Sequence, residues 1–162
     1  MKIAVLAETA AGEKRVSATP ETVRKYLSLG ATVAVEAGAG AGANIPDAAF
    51  AEAGATVGSR AETLSGARIV LGVQGPDPAG LPSGAVLAAS LNPHQSRDRL
   101  SAYAAGGIDA LAMEFMPRIT RAQSMDILSS QANLAGYKAV IDAAEAYGRA
   151  FPMMMTAAGT IS

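Results

Sequence analysis

Five short apolar runs, at residues 2–6, 31–36, 68–73, 85–90 and 108–113, punctuate the first two thirds of the chain, and helix signals fill several of the intervals between them. Each run is too short for a buried helix and lacks the apolar–polar alternation of a half-solvated strand, so each reads as a strand covered on both faces. The first interval shows the pattern well. Thr19 can cap a helix, Pro20 suits its first position, Glu21 favours its positive end, and Gly30 stops it. Further helical stretches are expected at residues 47–52, stopped by Gly54, and at 95–105, leading through Gly106-Gly107 into the fifth run. Strand, helix, strand at this spacing specifies a doubly wound α/β domain, a mainly parallel sheet flanked by helices.

Composition narrows the chemistry. The 162 residues suffice for one core. Half the chain is apolar, 17% is charged and the net charge is -1, which excludes the disordered and coiled-coil classes. The Lys and Arg residues are scattered, so no nucleic-acid surface is expected. With no Cys and a single His, thiolate chemistry and disulfides are excluded and the common zinc sites fall short of ligands, so no metal site is expected. The apolar start stops at Glu8, too soon for the core of a secretory signal, and no segment approaches the roughly 18 apolar residues of a membrane helix, so no direct membrane insertion is expected. Aromatics are only 4%, with no Trp, and much of the apolar count is Ala, which implies a core of closely packed backbones.

Residues 121–149 contain no Pro and consist mostly of good helix formers, which predicts a long helix with Gly136 and Gly148 as its weak points. Pro117 is expected to end a strand and Thr120 to cap this helix, whose first turn then presents Gln123, with Asp126 and Ser129 following at i+3 spacings. Residues 153–156 could form a short strand. Three other segments invite functional readings. Gly38-Ala39-Gly40-Ala41-Gly42-Ala43 fits a loose dinucleotide pattern, but Asn44-Ile45-Pro46 follows where a phosphate-binding helix should begin, so it reads as a surface loop. Gly12-Glu13-Lys14-Arg15-Val16 lies past the carboxyl end of the first strand, where open α/β sheets bind ligands, although a solvated loop is the commoner reading. His94 has no identified carboxylate partner and reads as an exposed loop residue.

The run from Pro117-Arg118-Ile119-Thr120-Arg121-Ala122-Gln123-Ser124-Met125-Asp126 through Ile127-Leu128-Ser129-Ser130-Gln131 to Tyr137 closely resembles the matching stretch of the NAD-binding α subunit of proton-translocating nicotinamide nucleotide transhydrogenases. The likeness covers essentially the whole chain. Gly12 to Val16 and Thr19-Pro20-Glu21 resemble an amino-terminal signature shared with alanine dehydrogenases, and residues 151–159 resemble the approach to that family's Rossmann domain.

The resemblance implies an N-terminal Rossmann-like or flavodoxin-like α/β domain at residues 1–120, a long connecting helix at 121–150, and a stub at 151–162 leading to an NAD-binding Rossmann domain beyond the chain. It implies cofactor-binding roles for Arg118, Gln123, Ser124, Asp126 and Ser129 around the nicotinamide end of NAD(H). Asp126 and Ser129 would orient carboxamide and ribose, Arg118 would bond the carboxamide, and Gln123 would reach toward NADP(H) on a partner domain. No residue is implied as a catalytic acid, base or nucleophile. The implied chemistry is hydride transfer between the two nucleotides coupled to proton translocation, by a homodimer joined to membrane and NADP(H)-binding subunits at the cytoplasmic face of the inner membrane. The chain alone is expected to bind NAD weakly or not at all.

Two alternatives stay open. An alanine dehydrogenase-like domain would use Arg15, but Gln74 and Asn92 stand where that family has Lys and His, with His94 two residues late. A non-catalytic dimerisation module would use the Ala-rich faces and Met153-Met154-Met155.

Overall fold

The computed structural model describes residues 1–151 and 153–161. Every expected apolar run forms a strand: β1 (Lys2–Val5), β2 (Thr32–Glu36), β4 (Ile69–Gln74), β5 (Val86–Ser90) and β6 (Asp109–Ala112). Two elements lacked a readable period. β3 (Thr56–Gly58) is only three residues long, and α3 (Arg60–Leu64) is a single turn closed by a capping box, in which the Ser59 hydroxyl accepts from the Glu62 amide while the Glu62 carboxylate accepts from the Ser59 amide. Helix α1 (Pro20–Ser28) begins as the sequence indicates, with the Thr19 hydroxyl accepting from the Thr22 amide; α2 (Asp47–Glu52) leads to β3 and α4 (Arg97–Ala105) to β6, while β4 reaches β5 without a helix.

All pairings in the six-stranded sheet are parallel, in the order β3-β2-β1-β4-β5-β6. This is the dinucleotide-fold order rather than the flavodoxin order, and the winding reverses between β1 and β4. Alternation along the strands splits the core in two. Ala4 and Leu6 face α3 and α4 with Leu64, Val70, Leu87, Leu91 and Tyr103; Val5 faces α1 and α2 with Val23, Val33, Val35 and Phe50.

The cover is uneven. On the α1/α2 side, β4 to β6 present Ile69, Leu71, Val86 and Ala88 half-buried and Leu111 exposed, because no helix among the described residues lies across them. The Gly38–Ala43 loop is a packing device: a Cβ on Gly40 would stand 2.4 Å from the Ile45 carbonyl oxygen and 2.7 Å from the Phe50 ring. The amide of Gly38 is taken by the Asp47 carboxylate at 2.9 and 3.1 Å.

Past β6 the structure corrects the sequence reading in two places. The strand ends at Ala112, and a 3-10 turn at Met113–Phe115 stands between it and Pro117. Residues Thr120–Met125 form a second 3-10 turn, pinned by buried Ala122, and the long helix α5 runs from Ile127 to Tyr147. Thr120 is therefore not its cap. Asp126 is, because its backbone is extended (φ -76°, ψ 99°) and its carboxylate accepts from the Leu128 and Ser129 amides. Gly136 is tolerated inside α5, and Gly148, with φ 63°, ends it. No residue of α5 is fully buried. Beyond it, β7 (Met154–Thr156) pairs antiparallel with β8 (Gly159–Ile161), while two residues of the expected stub, Pro152 and Ser162, lie outside the described set.

Candidate functional site

Parallel strands leave unpaired amides at their carboxyl ends, and here carboxylates take them. Glu8 accepts from the Val73 and Gln74 amides at 2.5 and 3.1 Å, Glu114 from those of Leu91 and Asn92 at 3.2 and 2.7 Å, and Glu36 from the Ala7 amide at 2.9 Å and from Arg60 at 3.0 Å. These acids close the strand ends. Around them, at the reversal between β1 and β4, lies a cleft of about 660 Å³ walled by Glu8, Gln74, Asn92, Arg60 and Arg99. His94 is not among its walls; it is exposed, edge-on to Phe115 with ring centroids 5.6 Å apart.

The loop after β1 carries a tighter network. The Glu13 carboxylate accepts from the Arg15 backbone amide, from Arg15 Nε at 2.7 Å and Nη2 at 2.5 Å, and from Gln74 Nε2 at 2.9 Å. The Arg15 guanidinium, helped by the Gln74 amide, holds the Glu13 carboxyl down from an ordinary value of 4.5 to about 2. The remaining Arg15 nitrogen, Nη1, donates to the side-chain oxygen of Gln131 on α5 at 3.0 Å. Sequence reading singled out the loop but not Gln131, which lies 116 positions away.

The start of α5 gathers part of the sequence-derived set. Asp126 Oδ1 caps the helix, and Oδ2 accepts from the Ser129 hydroxyl at 2.6 Å. The Ser129 hydroxyl and amide, the Leu128 amide and the field of Arg118 hold the Asp126 carboxyl below its usual range, so the group is an anion. Arg118 is exposed on the approach to the 3-10 turn, and Gln123 and Ser124 are exposed on the turn itself. The structure thus brings Asp126 and Ser129 into contact, sets Arg118 within electrostatic range, and leaves Gln123 and Ser124 presented outward. What results is an anionic acceptor at an accessible helix start, with an exposed cation on the approach to it. Between this start and the uncovered half of the sheet lies a largely apolar groove of about 620 Å³, bordered by Arg15, Tyr26, Leu71, Met113, Leu128 and Gln131.

Comparison with known proteins converges on one family. Residues 4–135 match the family model described as alanine dehydrogenase/PNT, N-terminal domain. In Rhodospirillum rubrum, the first portion of a divided NAD(P) transhydrogenase subunit alpha is 52% identical over 170 residues, covering 99% of this chain and 44% of that protein. The NAD(P) transhydrogenase subunit alpha of Haemophilus influenzae is 42% identical over 164 residues, covering 99% of this chain and 32% of that protein. The crystal structure of transhydrogenase from Sinorhizobium meliloti superposes with a TM-score of 0.92 at 51% identity, over 99% of this chain and 49% of that one. An L-alanine dehydrogenase structure superposes with a TM-score of 0.70 at 27% identity, over 76% of this chain and 35% of that one. The chain spans less than half the length of these relatives. Among the described residues no helix is long and apolar enough to cross a membrane. On the match over residues 4–135 and the identity shared with transhydrogenase α subunits, the chain belongs to the alanine dehydrogenase/PNT N-terminal domain family.

Proposed function

We propose that residues 1–120 form the first domain of a transhydrogenase α subunit, that residues 121–150 connect it onward, and that the start of α5 forms the nicotinamide side of an NAD(H) site. The observation that carries this reading is the Asp126–Ser129 pair at the helix start, with exposed Arg118 within electrostatic range. A carboxamide offers one N–H2 donor and one carbonyl acceptor. Asp126 is an ionised acceptor and Arg118 an exposed donor, so the donor set fits that group. Ser129 would share the ribose and carboxamide contacts, Ser124 would join the NAD(H) contacts, and Gln123, on the outward-facing turn, would reach toward NADP(H) carried by a partner domain.

The bound nucleotides supply the hydride donor and acceptor. The residues here would bind and orient. The adenosine and pyrophosphate half is assigned to the portion of the relatives beyond the match, since the one Gly-rich loop after a strand is closed by Asp47 and packed on Phe50. The α subunit would work as a homodimer beside membrane and NADP(H)-binding subunits at the cytoplasmic face of the inner membrane, with hydride transfer coupled to proton movement. Exposed Leu134, Tyr137 and Ile141, at i, i+3 and i+7 on α5, support pairing of two copies. The alanine dehydrogenase reading is weakened because Arg15, which would take a substrate carboxylate, is held by Glu13 and Gln131.

Calorimetric titration tests the division of the site. The 162-residue chain alone should give little or no NADH binding, whereas the subunit that includes the remaining half should bind it. Tight binding by the chain alone would overturn this division.

A further inference from the structure

Among the described residues, little holds helix α5 in place. None of its residues is fully buried, and Leu128, Leu134, Tyr137, Val140, Ile141 and Tyr147 are exposed. Its cap is internal, since Asp126 bonds only to Leu128 and Ser129 among the hydrogen bonds resolved for its side chain. Against this, among the described residues, one side-chain bond ties the second turn of α5 to the body: Arg15 Nη1 to Gln131 at 3.0 Å. The bond is anchored behind. Arg15 is gripped by Glu13, whose side chain is only 9% exposed, and Glu13 is in turn held by Gln74 at the end of β4. The chain of contacts therefore runs from the sheet, through a well-satisfied ion pair, to a point two residues past Ser129.

We infer that Glu13, Arg15 and Gln131 form a strap that positions the start of α5 over the sheet, making Arg15 and Gln131 positioning residues for the cofactor groups on Asp126 and Ser129. This rests on the reading of that site given above. The forked guanidinium is suited to the task because two of its nitrogens face Glu13 while the third reaches α5; an ammonium cannot hold both in fixed geometry. Helix propensity offers no substitute explanation. Ala is a better helix former than Gln, so Gln131→Ala by itself should firm α5 rather than loosen it.

The test is amide hydrogen exchange at Leu128, Ser129 and Ser130 in the chain, with NADH affinity read in the full-length subunit. Gln131→Ala and Arg15→Lys should each speed exchange at these amides about fivefold, the scale of one charge-assisted hydrogen bond at a partly exposed site, while the Val23 amide in α1 is unaffected. NADH affinity should fall by a similar factor in both. Gln131→Glu should restore protection and affinity, because a carboxylate still accepts from Arg15 and sits near the positive end of the helix. Unchanged exchange in both weakening variants would overturn the strap. NADH affinity that falls with Asp126→Asn but not with Gln131→Ala would overturn its positioning role alone. Affinity indifferent to both would overturn the site reading beneath it.

Discussion

The β3-β2-β1 half of the sheet and helix α5 are built by opposite means. In the first, Val5, Val23, Val33, Val35 and Phe50 are sealed between strands and helices, and position follows from burial. In the second, apolar side chains stand in solvent and position follows from a cap and a strap of hydrogen bonds. The candidate cofactor groups lie on the second. A helix held by a few polar bonds can be moved by a ligand or a neighbouring domain at small cost, whereas a close-packed half-sheet cannot.

The contrast can be broken at its strong end first. Phe50→Ala empties the largest side chain of the α1/α2 core and should cost about 3–5 kcal/mol in denaturant unfolding; a loss below about 1 kcal/mol would deny that this half is held by burial. Next, Leu134→Glu with Ile141→Glu places two charges on the α5 stripe. Sedimentation should show loss of a dimer, an association effect of about 2 kcal/mol or more, with body stability changed by only about 0.5 kcal/mol; a fall in body stability alone would mean the stripe packs within one chain. Asp126→Ala removes the cap, and circular dichroism should show local fraying worth about 1 kcal/mol without loss of the sheet. The last test is at Glu13 and is read through pH. Its carboxyl sits at about 2 when folded against 4.5 ordinarily, so its contribution is fully present above about pH 4.5 and fades as pH falls toward 2. Glu13→Gln should flatten that part of the acid-unfolding curve, and an unaltered slope would remove the pair from the account.

Legibility in the sequence follows the same division. Burial on both faces writes itself as continuous apolar runs, which is why β1, β2, β4, β5 and β6 could be placed from residues alone. Elements of three to five residues, β3 and α3, carry no period, although Ser59 and Glu62 do spell a capping box. The start of α5 was displaced because Thr120 and Asp126 are both competent caps; backbone geometry, not residue type, chooses between them. The strand-end acids Glu8 and Glu114 and the Arg15–Gln131 bond were invisible for another reason: they join positions far apart in the chain, and one sequence holds no record of distance in space. Gln123, Asp126 and Ser129 entered as polar residues at a helix start; Arg118 and Ser124 joined them, and all five took specific roles, through the family resemblance.

The most direct test of the nicotinamide site is hydride transfer from NADPH to an NAD analogue by the full-length subunit with its partners, comparing wild type with Asp126→Asn. Asn still caps a helix, so α5 should remain formed while the anionic acceptor is lost. The account predicts a transfer rate lower by about 10- to 100-fold, the scale of misplacing a reacting group, with helicity intact. A rate equal to wild type would contradict it.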